Sequence, residues 1–470
     1  MQKSKNRNKV KLGLLGSGTV GEAIQEFIFK DSKGKVGSDL ELEIVKIYTR
    51  HPARKKWYST HPALFTTRPK DVTDHPAADI IIEALGFQQE RQLSVFKDYI
   101  IRAFQKGKAV VTSDKAVLAK FGKEIWSAAG RYGQELRFEA CVGGGIPIIR
   151  SLTESFSAEE PEAIYGIVNG TCNYVLSEMK NSGKSYEGAL REAQDRGYAE
   201  TNSKSDTSGM DAEAKLILLA AVTFGLHIEP GTIWRKGIEE IHAIDFLYAD
   251  RKGGCTIKHL AVANNEGGAI QAYVAPVLVP HDHFLSAIDG PTNAIFFKGK
   301  RSGLDRNENQ VESRDWNYVF VGPGAGGGAT AVAIMGDVCE LARGRRQRLG
   351  CPPTLTAPGT LTVQSKSQIA AGFYLRFVVK DRIGIVGDIC QTFGKAGINV
   401  SEIWQLSHSE DELQSLARTY RLAENPRRIL PFVITLERAT IGQIKNALAI
   451  ISRKNYILAN PIWFPIWNTR

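Results

Sequence analysis

Gly16-Ser17-Gly18-Thr19-Val20-Gly21 is a GxGxxG motif in the setting that gives such a motif meaning: the apolar run Val10-Lys11-Leu12-Gly13-Leu14-Leu15 precedes it, and Ala23, Ile24, Phe27 and Ile28 recur at helical spacing behind it. The first glycine permits a tight turn, the second lets backbone approach a pyrophosphate, and the third lets helix meet strand, so the segment predicts dinucleotide binding. The acid that would bind a ribose 2′-hydroxyl at the end of the second strand is replaced by Tyr48-Thr49-Arg50, with Arg54, Lys55 and Lys56 following. A 2′-phosphate suits that site, and a solvated basic loop is the plainer alternative; neither fits a strict NAD preference.

A second constellation runs from Glu200 through Asp206 and Asp211 to Lys215. Asp211 and Lys215 are four residues apart and share a helix face, so both can project into one cleft, with Thr207 or Ser208 placed to cap the helix start. Spacing alone would allow a surface ion pair of little energetic weight. The run Leu216-Ile217-Leu218-Leu219-Ala220-Ala221-Val222 is too apolar to be solvated, however, and a charged pair at the mouth of a buried helix suggests a site. Lys115 follows Val111-Thr112-Ser113-Asp114, directly after a strand, and ligands of parallel sheets bind at the carboxyl ends of strands. It is a candidate cation near the cofactor, against the reading of a plain loop lysine. His281-Asp282-His283, read as alternate residues of a strand, offers two imidazoles and no third ligand, so a metal site there is rejected.

The elements that must position these residues alternate strand and helix to about residue 150, through strands near residues 42–48, 79–85, 108–112 and 136–140 and a helix at 92–105. That order describes an α/β fold with a doubly wound parallel sheet of Rossmann type. Residues 8–150 form the expected dinucleotide domain and 151–321 an α+β domain with a long helix near 208–224 and strands around 256–300. The glycine run 322–329 opens a helix through Arg343, residues 344–369 read as a linker, and 370–470 show a βαββαβ order, the ferredoxin-like arrangement.

Composition sets the outer limits. With 470 residues, 43% hydrophobic and 23% charged, the chain is globular and multidomain. No apolar stretch is long enough for a membrane span, the basic N-terminus lacks an apolar region behind it, and the cysteines at 141, 172, 255, 339, 351 and 390 are too scattered for a zinc motif. A cytoplasmic protein is expected. The formal charge of +10 is concentrated near the N-terminus, at Arg54-Lys55-Lys56 and at Arg343, Arg345, Arg346 and Arg348, without interleaved aromatics, so an anionic small molecule is favoured over nucleic acid.

Taken together the residues resemble homoserine dehydrogenase, the NAD(P)-dependent oxidoreductase interconverting aspartate 4-semialdehyde and homoserine. The most specific matches are Val168-Asn169-Gly170-Thr171-Cys172-Asn173-Tyr174, Gly197-Tyr198-Ala199-Glu200 with Asp206, Asp211 and Lys215 in register, and the glycine run from Gly322. The resemblance implies a cofactor domain, a central domain that dimerises and binds substrate, and a return segment 322–343. It implies Lys215 as catalytic acid/base, Lys115 beside the nicotinamide assisting the carbonyl, and Asp211 with Glu200 and Asp206 holding substrate. Gly197, Gly322 and Gly324 would line the pocket, with Gly86 and Arg50 joining the glycine turn as cofactor contacts. NADP(H) is the expected cofactor, NAD(H) the alternative. A monovalent cation, Na+ or K+, would sit on Glu139, Val142, Gly144 and Ile146.

Hydride addition to an aldehyde develops negative charge on oxygen, which an ammonium can stabilise and protonate if burial or a second cation lowers its pKa. The family usually shows Asn at position 114, glycine at 87 and threonine at 172, where this chain has Asp114, Phe87 and Cys172. Asp114 could raise the pKa of Lys115 or shift its orientation. The C-terminal unit resembles an ACT domain, which implies an amino-acid effector, threonine, near Asp381, Gly384 and Asn399, a homodimer or homotetramer, and feedback inhibition; a dimerisation module without ligand is the alternative. No fused kinase domain is expected ahead of residue 10. A catalytically silent amino-acid sensor and a dehydrogenase of another small amino acid are the competing functions, and the intact Glu200, Asp211 and Lys215 set argues against the first.

Overall fold

The computed structural model describes residues 8–86, 90–304, 310–344 and 361–467. The first sheet runs in the order Lys35–Val36, Leu40–Tyr48, Asn8–Leu15, Ile80–Glu83, Ala109–Thr112, Leu136–Arg137, with Phe65–Thr66 also paired to Leu40–Tyr48. Every pairing is parallel except that of Lys35–Val36. Ile80, Ile81, Ile82 and Glu83 are all buried, as expected of a central parallel strand covered on both faces. The last strand is shorter than its sequence suggested, because the chain turns into a 3-10 segment at Glu139–Cys141. Helices Glu90–Gln105 and Lys115–Tyr132 pack on one face. The return helix Gly327–Ala342 closes the other, burying Ala331, Ile334, Met335 and Val338 with Leu12, Leu14, Ile80 and Ile82.

The second sheet is antiparallel through the central region, in the order Gln310–Pro323, Thr292–Leu304, Glu160–Ile167, Cys255–Glu266, Ala269–Pro280. Helix Met210–Phe224 is buried along most of its length, packing Leu216, Leu218 and Ile217 into the core shared with the cofactor domain. Its cap is Gly209 at φ +80, not Thr207 or Ser208; the Thr207 hydroxyl instead donates to Glu239 Oε1. His281 and His283 lie beyond the end of Ala269–Pro280 rather than on a strand, one beside Asp250 and the other capping a 3-10 turn.

The C-terminal unit has the antiparallel order Ile457–Ile466, Ala370–Lys380, Ile429–Thr440, Val400–Trp404, with helices Ile385–Lys395 and Ile441–Ile451 over one face. This is the expected ferredoxin-like topology with one addition, helix Glu410–Thr419 between the second and third strands. The C-terminal unit is joined to the central sheet through its own strands. Thr362–Val363 pairs with Ala269–Ile270, and Ile466 pairs with Leu278, so the two antiparallel sheets are continuous. The second face of strand Ala370–Lys380 turns Tyr374 and Arg376 onto helix Ala243–Gly253, where fully buried Asp245 accepts from Tyr374 Oη at 2.8 Å and Arg376 Nε at 2.7 Å. Phe87, Arg345, Arg346, Arg348 and Cys351 lie outside the described residues.

Candidate active site

The glycine turn leaves strand Asn8–Leu15 at the carboxyl edge of the parallel sheet, and each glycine is there for its own steric reason. A Cβ on Gly16, at φ +111, would lie 2.2 Å from the Ala84 carbonyl oxygen, and one on Gly21 would lie 2.4 Å from that of Gly16. Around Gly18 there is open space, which leaves room for a pyrophosphate to approach the backbone at the start of helix Thr19–Glu26. Ser17 is buried and accepts from Gln25 Nε2 at 2.9 Å, while Thr19 is exposed and faces Gly327 of the return helix, where an added Cβ would lie 2.8 Å from Thr19 Cγ2. Val20 packs partly buried on the adjoining core. This cradle fits a dinucleotide. Arg50 stands exposed just beyond strand Leu40–Tyr48. The neighbouring lysines turn back onto the cradle helix, Lys55 to Glu22 and Lys56 to Glu26, both at 3.1 Å. Gly86, at φ +74, follows the adjacent strand.

Lys115, Asp211 and Lys215 meet at the same edge. Asp211 Oδ2 lies 2.7 Å from Lys215 Nζ and Oδ1 lies 3.1 Å from Lys115 Nζ. Lys215 also donates to the Val168 carbonyl at 2.7 Å. Asn169 joins them: its Nδ2 donates to Asp206 Oδ1 at 2.8 Å and Asp211 Oδ2 at 2.9 Å, while its Oδ1 caps helix Gly170–Ser182 at the Cys172 amide. Cys172 in turn donates its thiol to the Asp206 carbonyl. Lys215 is 7% exposed, whereas the Lys115 side chain is 36% exposed, so the open side of the cluster lies toward Lys115.

Burial raises the pKa of Asp211, but the two ammonium groups outweigh it and hold the carboxyl below its ordinary value. The same contact works in reverse on Lys115: the Asp211 charge raises its pKa despite desolvation, and Asp114 adds to the rise. The anticipated lowering by a second cation is therefore not what this site does to Lys115; the intervening carboxylate prevails. Asp206 is raised by burial and then by Asp211. Behind Lys115, Asp114 spends Oδ1 on the Ala116 and Val117 amides as a helix cap, and its other oxygen is buried without a partner. Burial, then Asp114, pushes Glu83 up to about 8; Thr112 donates to it at 2.5 Å.

Glu200 and Gly197 are exposed and outside this hydrogen-bonded cluster. Their turn is nevertheless tied to it, because Thr171 Oγ1, two residues after Asn169, donates to the Tyr198 carbonyl at 2.7 Å. Gly322 packs against Ile146, and Gly324 against Asn293, where a Cβ would lie 2.0 Å from Asn293 Cγ, so both serve close packing. Gly144, at φ +59, abuts Gly324. Glu139 accepts from the Ile149 and Arg150 amides at 2.8 and 2.9 Å, and the Ile146 carbonyl accepts from Ile148. Burial and the neighbouring Asp337 raise Glu139 to about 7, a donor set that a cation would relieve; the Val142 backbone adjoins it. Asp381 and Gly384 sit at one end of the C-terminal sheet and Asn399 at the other: Asp381 follows Lys380, which pairs with Ile429, whereas Asn399 bonds Glu437. Strand Ala370–Lys380 separates them by roughly 25 Å, so they do not share a ligand within one chain.

Asn169, Glu83, Thr112 and Asp337 carry parts of the site that motif reading did not assign. Asn169 stands immediately before a glycine and a helical run, which is an N-cap signal. The other three show no local signature.

A doubly wound sheet with a dinucleotide cradle at its carboxyl edge, and two lysines meeting there on one carboxylate, defines a nicotinamide-dependent oxidoreductase acting between carbonyl and alcohol. Residues 16–139 match the family model for the homoserine dehydrogenase NAD binding domain and 147–339 that for homoserine dehydrogenase. The chain belongs to the homoserine dehydrogenase family, and its activity is the family's, the nicotinamide-dependent interconversion of aspartate 4-semialdehyde and homoserine. It is 31% identical over 454 residues to the homoserine dehydrogenase of Synechocystis sp., covering 94% of this chain and 100% of the relative. With that of Bacillus subtilis it is 32% identical over 410 residues, covering 87% and 90%. The crystal structure of a homoserine dehydrogenase from Thiobacillus denitrificans superposes with a TM-score of 0.81 at 27% identity over 98% of both chains. A hyperthermophilic archaeal homoserine dehydrogenase mutant in complex with NADPH shares the fold at a TM-score of 0.57 and 23% identity, over 72% of this chain and 99% of that one. Among the described residues no helix is long and apolar enough to cross a membrane.

Proposed function

We propose that this enzyme works with NADP(H) in preference to NAD(H), and that Lys215 is the group that exchanges a proton with the substrate oxygen. The convergence of Lys115 and Lys215 on Asp211 at the sheet edge carries the reading. The nicotinamide supplies or accepts the hydride at the substrate carbon. In the reducing direction the nascent alkoxide takes a proton from the Lys215 ammonium, and Lys115 stabilises the developing charge from the open side. In the oxidising direction the same transfer runs in reverse, the alcohol proton passing to the neutral Lys215 amine as hydride leaves the carbon. The substrate ammonium is held by Asp206 and Asp211, with Glu200 reached from the tethered turn. Gly16, Ser17, Gly18, Thr19, Val20 and Gly21 cradle the pyrophosphate, and Arg50 meets the 2′-phosphate. A monovalent cation on Glu139 and the carbonyls of Val142, Gly144 and Ile146 braces the loop between cofactor and central domains.

The C-terminal unit acts as a regulatory ACT domain for threonine in a homodimer or larger homo-oligomer, in the cytoplasm. The five described cysteines are all unpaired, which suits a reducing compartment. The test is NADP- and NAD-linked oxidation of L-homoserine by the purified protein, with and without threonine. Threonine-suppressed activity favouring NADP supports the cofactor and regulatory readings; equal use of both cofactors removes the role given to Arg50, and indifference to threonine removes the regulatory one.

A further inference from the structure

Glu83 ends the strand that lies between the one leading to the glycine cradle and the one leading to Lys115. Its side chain is fully buried at the carboxyl edge of the sheet and serves loops on both sides. Oε1 accepts from the Leu85 amide at 2.9 Å, closing the turn that ends at Gly86, and the Thr112 hydroxyl donates to Oε2 at 2.5 Å. Thr112, also fully buried, accepts in turn from the Asp114 amide at 3.0 Å. Asp114 then caps the two amides that follow Lys115, those of Ala116 at 3.0 Å and Val117 at 3.2 Å. The main chain reinforces the join: the Glu83 carbonyl accepts from the Ser113 amide at 3.1 Å, and the Ala84 amide donates to the carbonyl of Leu15, the residue before Gly16, at 2.8 Å. The backbone of Lys115 is thus held on both sides by a chain of bonds that begins at Glu83, while its ammonium reaches across to Asp211.

We propose that Glu83 is a positioning residue for the reaction: through Thr112 and Asp114 it fixes where Lys115 stands relative to the Leu85–Gly86 turn and the glycine cradle, and so relative to a bound cofactor. The inference rests on the role given to Lys115 above. Misplacing a reacting group by about 1 Å can cost about a hundredfold in rate, so a tether of this kind acts on turnover without touching substrate. Its burial serves that end, because hydrogen bonds made away from water are electrostatically stronger than those made in it. The titratable groups that face it are Asp114 from the neighbouring loop and, from the 3-10 turn Glu139–Cys141, the Cys141 thiol, which donates to the Thr112 carbonyl at 3.5 Å. Burial first and Asp114 second push Glu83 up to about 8, so at neutral pH the carboxyl is mostly protonated and holds both loops without setting one buried anion against another.

The test is steady-state kinetics of NADP-linked homoserine oxidation, with NADPH binding followed by fluorescence titration, for wild type, Thr112→Val, Thr112→Ser, Lys115→Met and the double variant Thr112→Val with Lys115→Met. Thr112→Val cuts the tie between Glu83 and the Lys115 turn. Its kcat should fall about tenfold or more with NADPH affinity undiminished, and Thr112→Ser, which keeps the hydroxyl, should recover most of the loss. In the Lys115→Met background Thr112→Val should cost nothing further, because the group it positions is gone. If Thr112→Val does not fold, Glu83→Met, which releases both turns, gives the same comparison of kcat with and without Lys115. A loss of full size in the Lys115→Met background, or a wild-type kcat in Thr112→Val, overturns the positioning role and leaves that of Lys115 standing. A wild-type kcat in Lys115→Met overturns the role of Lys115 and this inference with it.

Discussion

Asp211 accepts the Lys215 ammonium from the next turn of its own helix at 2.7 Å, and its second oxygen accepts Lys115 from a different domain at 3.1 Å. One carboxylate therefore fixes the spacing of both cations and holds the Lys115 pKa up. Asp211→Asn keeps the shape and removes the charge. Homoserine oxidation should fall by about a hundredfold, the lower end for a displaced acid–base group. Because Asp211 is the chief reason the Lys115 pKa is raised, any limb of the pH–rate profile that reports Lys115 should move to lower pH. A profile unchanged in position would show that Asp211 does not govern the lysines.

Glu83 gives a pH signature in stability. Its carboxyl is raised to about 8 in the fold, so the fold favours the protonated form. The stability this contributes is complete below the ordinary carboxyl pKa and is lost progressively as pH rises toward 8. Glu83→Gln removes the ionisation and keeps one acceptor oxygen for the Leu85 amide, while its amide nitrogen takes the place of the oxygen that meets the Thr112 hydroxyl. Its melting temperature should gain on wild type more at pH 8.5 than at pH 5.5; equal differences at both would contradict the assignment.

Asn169 links two carboxylates and caps a helix. Asn169→Ala should cost about 1 kcal/mol for the cap. It should also raise the KM for homoserine by leaving Asp206 and Asp211 to repel each other. Denaturant titration and steady-state kinetics read the two effects separately, and a stability loss with an unaltered KM would reduce Asn169 to a cap.

The junction of the C-terminal unit depends on Asp245. Asp245→Ala leaves the Arg376 guanidinium buried without its counter-ion, a loss of about 3–5 kcal/mol in urea denaturation. Replacing both partners with apolar residues, Asp245→Leu with Arg376→Met, should recover much of it. A single variant as stable as wild type would mean that the pair does not hold the junction.

What the sequence disclosed followed the range of the forces involved. The cradle at Gly16, Gly18 and Gly21 was legible because each glycine answers a local steric demand, and the buried helix carrying Asp211 and Lys215 because its apolar run is contiguous. The cap at Gly209 was misread: Thr207 and Ser208 are good caps by type, but Thr207 is drawn to Glu239, a partner distant in sequence. Helix Glu410–Thr419 went unread although Ser409 and Glu412 form a capping box that announces it. The contact of Lys115 with Asp211, the Glu83–Thr112–Asp114 cluster and the Arg376–Asp245 lock join segments far apart in the chain, and no local pattern encodes them. The rise of the Lys115 pKa was legible in part, from the neighbouring Asp114, but its main cause, Asp211, lies far along the chain and shows only after folding.

The central claim is that Lys215 carries the proton of the reaction. Lys215→Ala should abolish NADP-linked homoserine oxidation while the purified variant still binds NADPH and keeps its cooperative unfolding. Turnover retained at more than a small fraction of wild type, in a variant that is folded and binds cofactor, would contradict it.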